Sequence, residues 1–203
     1  MDRARSEVKV TASIGVFGGA FNPVHHGHLI AAQVTLETLN LDSIIFIPTG
    51  IPPHKKDPAV SAEMRFKMTS IAVENNPKFE VSEIEINRNG PSYTVDTLKT
   101  LTLQRPETNF HLLIGADELE EFKDWHCWQE IINLARLAVM NRPGYKSKPE
   151  DPLLCEKTNT VEIPDIQISS SGLRNRIGER LSIKYFVPEK VDLFIKENEL
   201  YYG

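Results

Sequence analysis

Cysteine is scarce: Cys127 and Cys155 are the 2 cysteines in 203 residues, with no CxxC spacing between them. A disulfide framework and a thiolate zinc site are not expected, and both side chains are read as ordinary packing or surface residues. The chain has no run of about 18 apolar residues, so no transmembrane helix is expected. Its opening segment, MDRARSEVKVTAS, carries charge without an apolar stretch. No secretory signal is therefore expected, and the cytoplasm is the expected compartment. Cations are outnumbered, 23 Lys and Arg against 28 Asp and Glu, for a net charge of −5. That balance speaks against a nucleic-acid partner or a membrane surface, while allowing a small anion held by a few local cations. GxGxxG, GxxxxGK[ST] and HExxH are all missing, so the dinucleotide fingerprint, the Walker loop and the zincin helix lose ground. Internal repeats and low-complexity tracts are missing too.

What is present is an alternation of β-rich runs with helical stretches. Strands are expected over 14–17, 43–48, 79–86, 110–114, 137–141 and 160–163. Helices are expected over 28–39, 62–75, 93–103, 128–135, 170–180 and 188–198. Strands joined by helical crossovers predict an α/β fold with a doubly wound, mostly parallel sheet and helices on both faces. Its ligands belong outside the carboxyl ends of the strands. At this length one domain over 1–203 is expected, with an N-terminal extension over 1–12 and C-terminal helices over 170–203. Two Pro- and Lys-rich stretches, 49–60 and 142–153, read as long loops at strand ends, where active-site covers or linkers belong.

The stretch IGVFGGAFNPVHHGHL, residues 14–29, sets two glycines, an Asn-Pro turn and three histidines directly behind the first strand. Gly18 and Gly19 let backbone amides approach a ligand with no Cβ in the way. His25 and His28 are three apart, so at a helix start they point the same way while His26 points elsewhere. Imidazole N–H donors, backbone amides and a helix dipole then converge on one anion. A single histidine would read as a turn residue; the pair favours the anion site. Zinc would need further ligands that the spacing does not supply, so no metal ligand is named among the side chains.

These residues resemble the GxFxPxHxGH signature of the nucleotidylyltransferase superfamily. A second signature, ISSTxIR, is similar to ISSSGLR over 168–174, about 140 residues later. Ser171 stands where that family has Thr and Leu173 where it usually has Ile, both mild changes. On physical grounds one of Ser169, Ser170 and Ser171 is a helix N-cap. The hydroxyls, the free helix N–H groups and Arg174 also suit a triphosphate, since arginine grips two oxygens at once.

Over most of its length the chain resembles the bacterial nicotinate-nucleotide adenylyltransferase family. The stretches carrying the likeness are FGGAFNPVHHGH, IPTGIPPHKK, GPSYTVDTL, IGADELEEFKDWHCW, NRPGY and ISSSGLR. The resemblance implies a Rossmann-like fold and adenylyl transfer from ATP to nicotinate mononucleotide, giving deamido-NAD and pyrophosphate. It implies Mg²⁺ arriving with ATP, held by phosphates and water. It assigns ATP to Phe17, Gly18, Gly19, His25, His28, Gly115, Asp117, Ser170, Ser171 and Arg174. The acceptor falls to Ala20, Phe21, Asn22, Lys55, Ser92, Tyr93, Thr94, Trp125, His126 and Arg142. His25, His28, Lys55 and Arg174 are expected to stabilise charge in the reaction.

Several of these positions have plainer readings. PPHKK is a solvated loop unless Lys55 swings onto phosphates. Ser92 or Thr94 reads as the cap of a helix, and Asp117 as an N-cap or as an acceptor for adenosine or ribose hydroxyls. Trp125 is implied to stack on the nicotinate ring, and Trp128 to pack inside. His126 replaces an aromatic common in that family. Related enzymes acting on nicotinamide mononucleotide or phosphopantetheine, and a catalytically silent nucleotide sensor, are the competing readings; the phosphopantetheine enzyme usually has Thr at the place of His25. Assembly into a homo-oligomer is left open by the sequence.

Overall fold

The computed structural model describes residues 11–53 and 60–202. Lys55 and Lys56, and all but the end of the expected N-terminal extension, lie outside the described residues. Six parallel strands form one sheet in the order β3-β2-β1-β4-β5-β6. They are β1 (Ala12–Gly19), β2 (Ser43–Pro48), β3 (Phe79–Val81), β4 (Thr108–Gly115), β5 (Ala135–Met140) and β6 (Thr158–Val161). The expected α/β, Rossmann-like architecture is present, and the order reverses between β1 and β4, where such sheets open a crevice.

Alternation along each strand builds a core on each face. From β2, Ile44 and Phe46 pack on one side while Ile45 and Ile47 pack on the other. The first side takes Leu36 of α1 (His26–Thr38), Met68 of α2 (Ala62–Val73), Ile177 of α7 (Ser170–Gly178) and Val191 of α8 (Glu189–Glu197). The second takes Leu98 of α3 (Thr94–Gln104), Leu119 of α4 (Ala116–Glu120), Ile131 of α5 (Trp128–Leu134) and Leu154 of α6 (Pro152–Lys157).

Several expectations need correction. The third strand, expected over 79–86, stops at Val81. Its ladder alternates Ile44 N–H to the Lys78 carbonyl with Ser82 N–H to the Phe46 carbonyl. The next rung would need an N–H at position 48, which Pro48 lacks. Released from the ladder, the chain turns and brings Glu85 into the interior. The last strand starts at Thr158, and the loop expected over 142–153 gives way to α6, capped by Asp151 accepting from Leu153 N–H at 2.9 Å, with Pro152 in its first turn. The helix α4 and a 3₁₀ turn, Phe122–Asp124, went unread because five- and three-residue elements are too short to show a period. The first strand begins at Ala12, inside the expected extension. Among the described residues no helix is long and apolar enough to cross a membrane.

Candidate active site

Two cavities meet at the carboxyl ends of β1 and β4. The larger, about 770 Å³, is bounded by Phe17, His25, His28, Asp117, Arg142 and Ser170 among others. The smaller, about 280 Å³, is bounded by Ala20, Ser92, Tyr93, Thr94, Trp125 and His126 among others. Gly18, Gly19, Glu118 and Trp125 border both. A Cβ built on Gly18 would meet nothing within 4 Å, so its bareness leaves space to the cavities and answers no packing demand.

The histidines sit at the start of α1, where His25 is the N-cap. Their rings stack with centroids 3.7 Å apart. His28 Nδ1 accepts the His25 backbone N–H at 3.2 Å, which puts the proton of the neutral ring on Nε2 and leaves that donor for a ligand. Burial lowers His25 from its ordinary value of 6.5 to about 4, and neighbouring His26 adds to the shift. Burial, followed by repulsion from His25, puts His28 well below 6.5. Both imidazoles are therefore neutral donors at pH 7. His25 Nδ1 is buried with no hydrogen-bond partner among the described residues.

The second motif docks on the first. Ser169 caps α7 by accepting the Gly172 N–H at 3.1 Å. Ser170 Oγ donates to the Pro23 carbonyl at 2.9 Å, and Arg174 Nη1 donates to the Asn22 carbonyl at 2.8 Å. Tyr201 from the end of the chain donates its hydroxyl to Asn22 Oδ1 at 2.6 Å. Asn22 is buried by these contacts and borders neither cavity, unlike the other expected acceptor residues of its turn. Ser171 and Arg174 border neither cavity; Arg174 is turned to the Asn22 carbonyl. Phe21 has φ +44° and borders the larger cavity, its ring packed edge-on against His28 at 5.1 Å.

On the β4 side, the cap of α4 is Gly115, whose N–H is taken by Glu118 at 2.9 Å. Asp117 is therefore not an N-cap; it lies in the first turn, where Oδ2 pairs with Arg142. Its Oδ1 is buried with no hydrogen-bond partner among the described residues. Arg142, expected on the acceptor, borders the larger cavity instead. The start of α3 is capped by neither Ser92 nor Thr94: Tyr93 is the N-cap, and Ser92 Oγ accepts the Ile51 N–H at 3.2 Å. Tyr93 and His126 face each other with ring centroids 4.5 Å apart at the smaller cavity. Trp125 is half-buried between the cavities and touches Phe122. Trp128, expected inside, is also half-buried, against the second core. Both cysteines are exposed.

Residues around the site that escaped the sequence reading include Arg65, Glu85, Glu118 and Tyr201. Arg65 had a signal, since it occupies the stripe shared by Met68, Thr69 and Val73 on α2. Glu85 and Tyr201 had none. Among the described residues no three His, Cys, Asp or Glu side chains cluster as a metal cage.

The chain is similar to known proteins over most of its length. Residues 16–176 match the Cytidylyltransferase-like family. A protein of Geobacillus thermodenitrificans named probable nicotinate-nucleotide adenylyltransferase is 42% identical over 189 residues, covering 93% of this chain and 85% of that one. One of Saccharopolyspora erythraea under the same name is 42% identical over 191 residues, covering 94% and 90%. Among solved structures, a Plasmodium falciparum nicotinic acid mononucleotide adenylyltransferase complexed with NaAD superposes with a TM-score of 0.78. It shares 20% identity, over 94% of this chain and 97% of that one, and so supports the fold.

Proposed function

Because the chain belongs to the nicotinate-nucleotide adenylyltransferase family, we propose that it transfers the adenylyl group of ATP to nicotinate mononucleotide, forming deamido-NAD and releasing pyrophosphate. One observation carries this reading furthest: a larger polar cavity beside the histidine pair and a smaller aromatic one share the Gly18–Gly19 wall. A reaction that joins two nucleotides across a phosphate needs two such compartments with a common boundary.

The acceptor phosphate is already an anion, so attack on the α-phosphorus needs neither a general base nor a covalent intermediate. Catalysis then comes from in-line positioning and from charge stabilisation. The His28 Nε2–H faces the reacting phosphate beside the bare Gly18–Gly19 wall; His25, with its unmet Nδ1, shares that task. The backbone N–H groups at the start of α7 receive the triphosphate tail, and Asp117 Oδ1 accepts from a hydroxyl of the adenosine. Arg174, which stands behind the turn on Asn22, is assigned to the triphosphate by a swing of its free nitrogens toward the larger cavity, and Lys55 completes the cationic set. Mg²⁺, arriving with ATP, supplies charge neutralisation on the phosphates, for which the chain offers no resident cage among its described residues. The pyridine ring lies against Trp125, beside the mutually packed Tyr93 and His126, with its carboxylate toward the start of α3 at Thr94.

The test is pyrophosphate release from ATP with nicotinate mononucleotide, nicotinamide mononucleotide and phosphopantetheine in parallel. Turnover with the first is expected; no pyrophosphate with any acceptor would make the chain a binding protein on this fold.

A further inference from the structure

Behind the smaller cavity a buried cation and a buried anion face each other across backbone. Arg65 is 1% exposed and Glu85 7%. Arg65 Nη2 donates to the Thr49 carbonyl at 2.6 Å and to the Gly50 carbonyl at 3.3 Å. On the opposite side, Glu85 accepts from the Gly50 N–H and the Ser92 hydroxyl, and Thr97 Oγ1 donates to Glu85 Oε1 at 2.8 Å. The Ser92 oxygen in turn accepts the Ile51 N–H at 3.2 Å.

A trans peptide points its C=O and its N–H in opposite directions. Two consecutive peptides, 49–50 and 50–51, therefore lie with both carbonyls toward the guanidinium and both N–H groups toward the carboxylate or the hydroxyl bonded to it. Ion, dipole and counter-ion are aligned in a low-dielectric interior, where each bond polarises the next. The approach is so close that a Cβ on Gly50 would stand 2.3 Å from the Glu85 carbonyl oxygen, so only glycine fits. Burial pushes the Glu85 carboxyl up, and its bonds from Thr97 and Ser92, the charge of Arg88 and the Gly50 N–H work against that push. The same guanidinium donates from Nη1 to the Ala20 carbonyl at 2.8 Å, so one side chain ties the ends of β1 and β2 together.

We propose that Arg65 and Glu85 are positioning residues for the acceptor: they clamp the peptides 49–51 and thereby set the distance between the Ala20 wall and the Ser92–Thr94 wall of the smaller cavity. Thr49, Glu85, Ser92 and Thr97 all border that cavity, whereas Arg65 stands behind it and borders neither. The inference rests on the proposed function, since it takes the smaller cavity as the seat of nicotinate mononucleotide.

Steady-state kinetics of Glu85→Gln and Arg65→Lys test it. The first substitution would turn an amide NH₂ toward groups that are themselves donors; in the second, an ammonium lacks the fork that reaches the Ala20 and Thr49 carbonyls together. In each variant KM for nicotinate mononucleotide is expected to rise about tenfold or more while KM for ATP stays within about twofold. The double variant should be no worse than the more severe single one, because both act through the same peptides. If either variant fails to fold, Ser92→Ala, which leaves both ions and removes the hydroxyl between Ile51 and Glu85, carries the same expectation. Equal rises in both KM values, or none, in a folded variant would overturn the inference alone. A wild-type protein that does not turn over this acceptor would overturn the proposed function and this inference with it.

Discussion

Arg174 Nη1 donates to the backbone carbonyl of Asn22 at 2.8 Å, joining residues 152 positions apart in the chain. That bond, with Ser170 on Pro23 and Tyr201 on Asn22, makes the turn after β1 the meeting point of both signatures. The ISSSGLR segment thus has two tasks: it presents α7 to the larger cavity, and it braces the turn that leads into the histidine pair.

Arg174→Lys should be costly although the charge is retained. A lysine can reach the Asn22 carbonyl or a phosphate but cannot fork between them. Calorimetry should show the ATP dissociation constant raised about tenfold or more, with unfolding stability lowered by about 1 kcal/mol, the worth of one hydrogen bond. An unchanged dissociation constant would reduce Arg174 to a brace.

His28→Ala removes the Nε2–H donor from the reacting phosphate, and kcat should fall about 10²-fold or more, as when an oxyanion donor is lost. The fold should persist, because the bond to the His25 N–H is worth only about 1 kcal/mol. Near-normal turnover in the folded variant would remove His28 from the charge-stabilising set.

The lowered value of His25 makes stability depend on pH with a definite sign. The folded ring titrates at about 4 and the unfolded ring at its ordinary 6.5. Between these values the unfolded chain binds more protons, so stability is full above pH 6.5 and is lost as pH falls toward 4. From pH 7.5 to pH 5 His25 alone should cost about 2 kcal/mol. Urea unfolding at the two values should show a loss in the wild type that exceeds the loss in His25→Asn by about that amount. Equal losses would mean that the ring is not held neutral by its surroundings.

The parallel sheet and most helices were legible because β-rich runs and helical periods repeat along the chain, whereas the strand order came only from the structure. The limits of that legibility are physical. The alternation FEVSEIEI reads as a long strand, yet pairing is a property of two strands, and Pro48 on the neighbour ends it. His25 and His28 were legible as a pair because both sit in one helical turn. The tie between Arg174 and Asn22 was not, since nothing local records which carbonyl a distant guanidinium finds. Ser92 looked like a cap and instead receives Ile51, because α3 begins against the end of β2.

The central claim is acceptor identity. Nicotinate and nicotinamide mononucleotide differ only in a carboxylate against a carboxamide. A site that meets this group with helix-start amides at Thr94 and other backbone N–H donors leaves an amide NH₂ facing donors, at about 1 to 3 kcal/mol for each buried group left unpaired. The most direct measurement is kcat/KM for both acceptors at saturating ATP in one pyrophosphate-release assay. The account predicts a preference for nicotinate mononucleotide of at least about 10²-fold; equal efficiency with the two would contradict the deamido assignment.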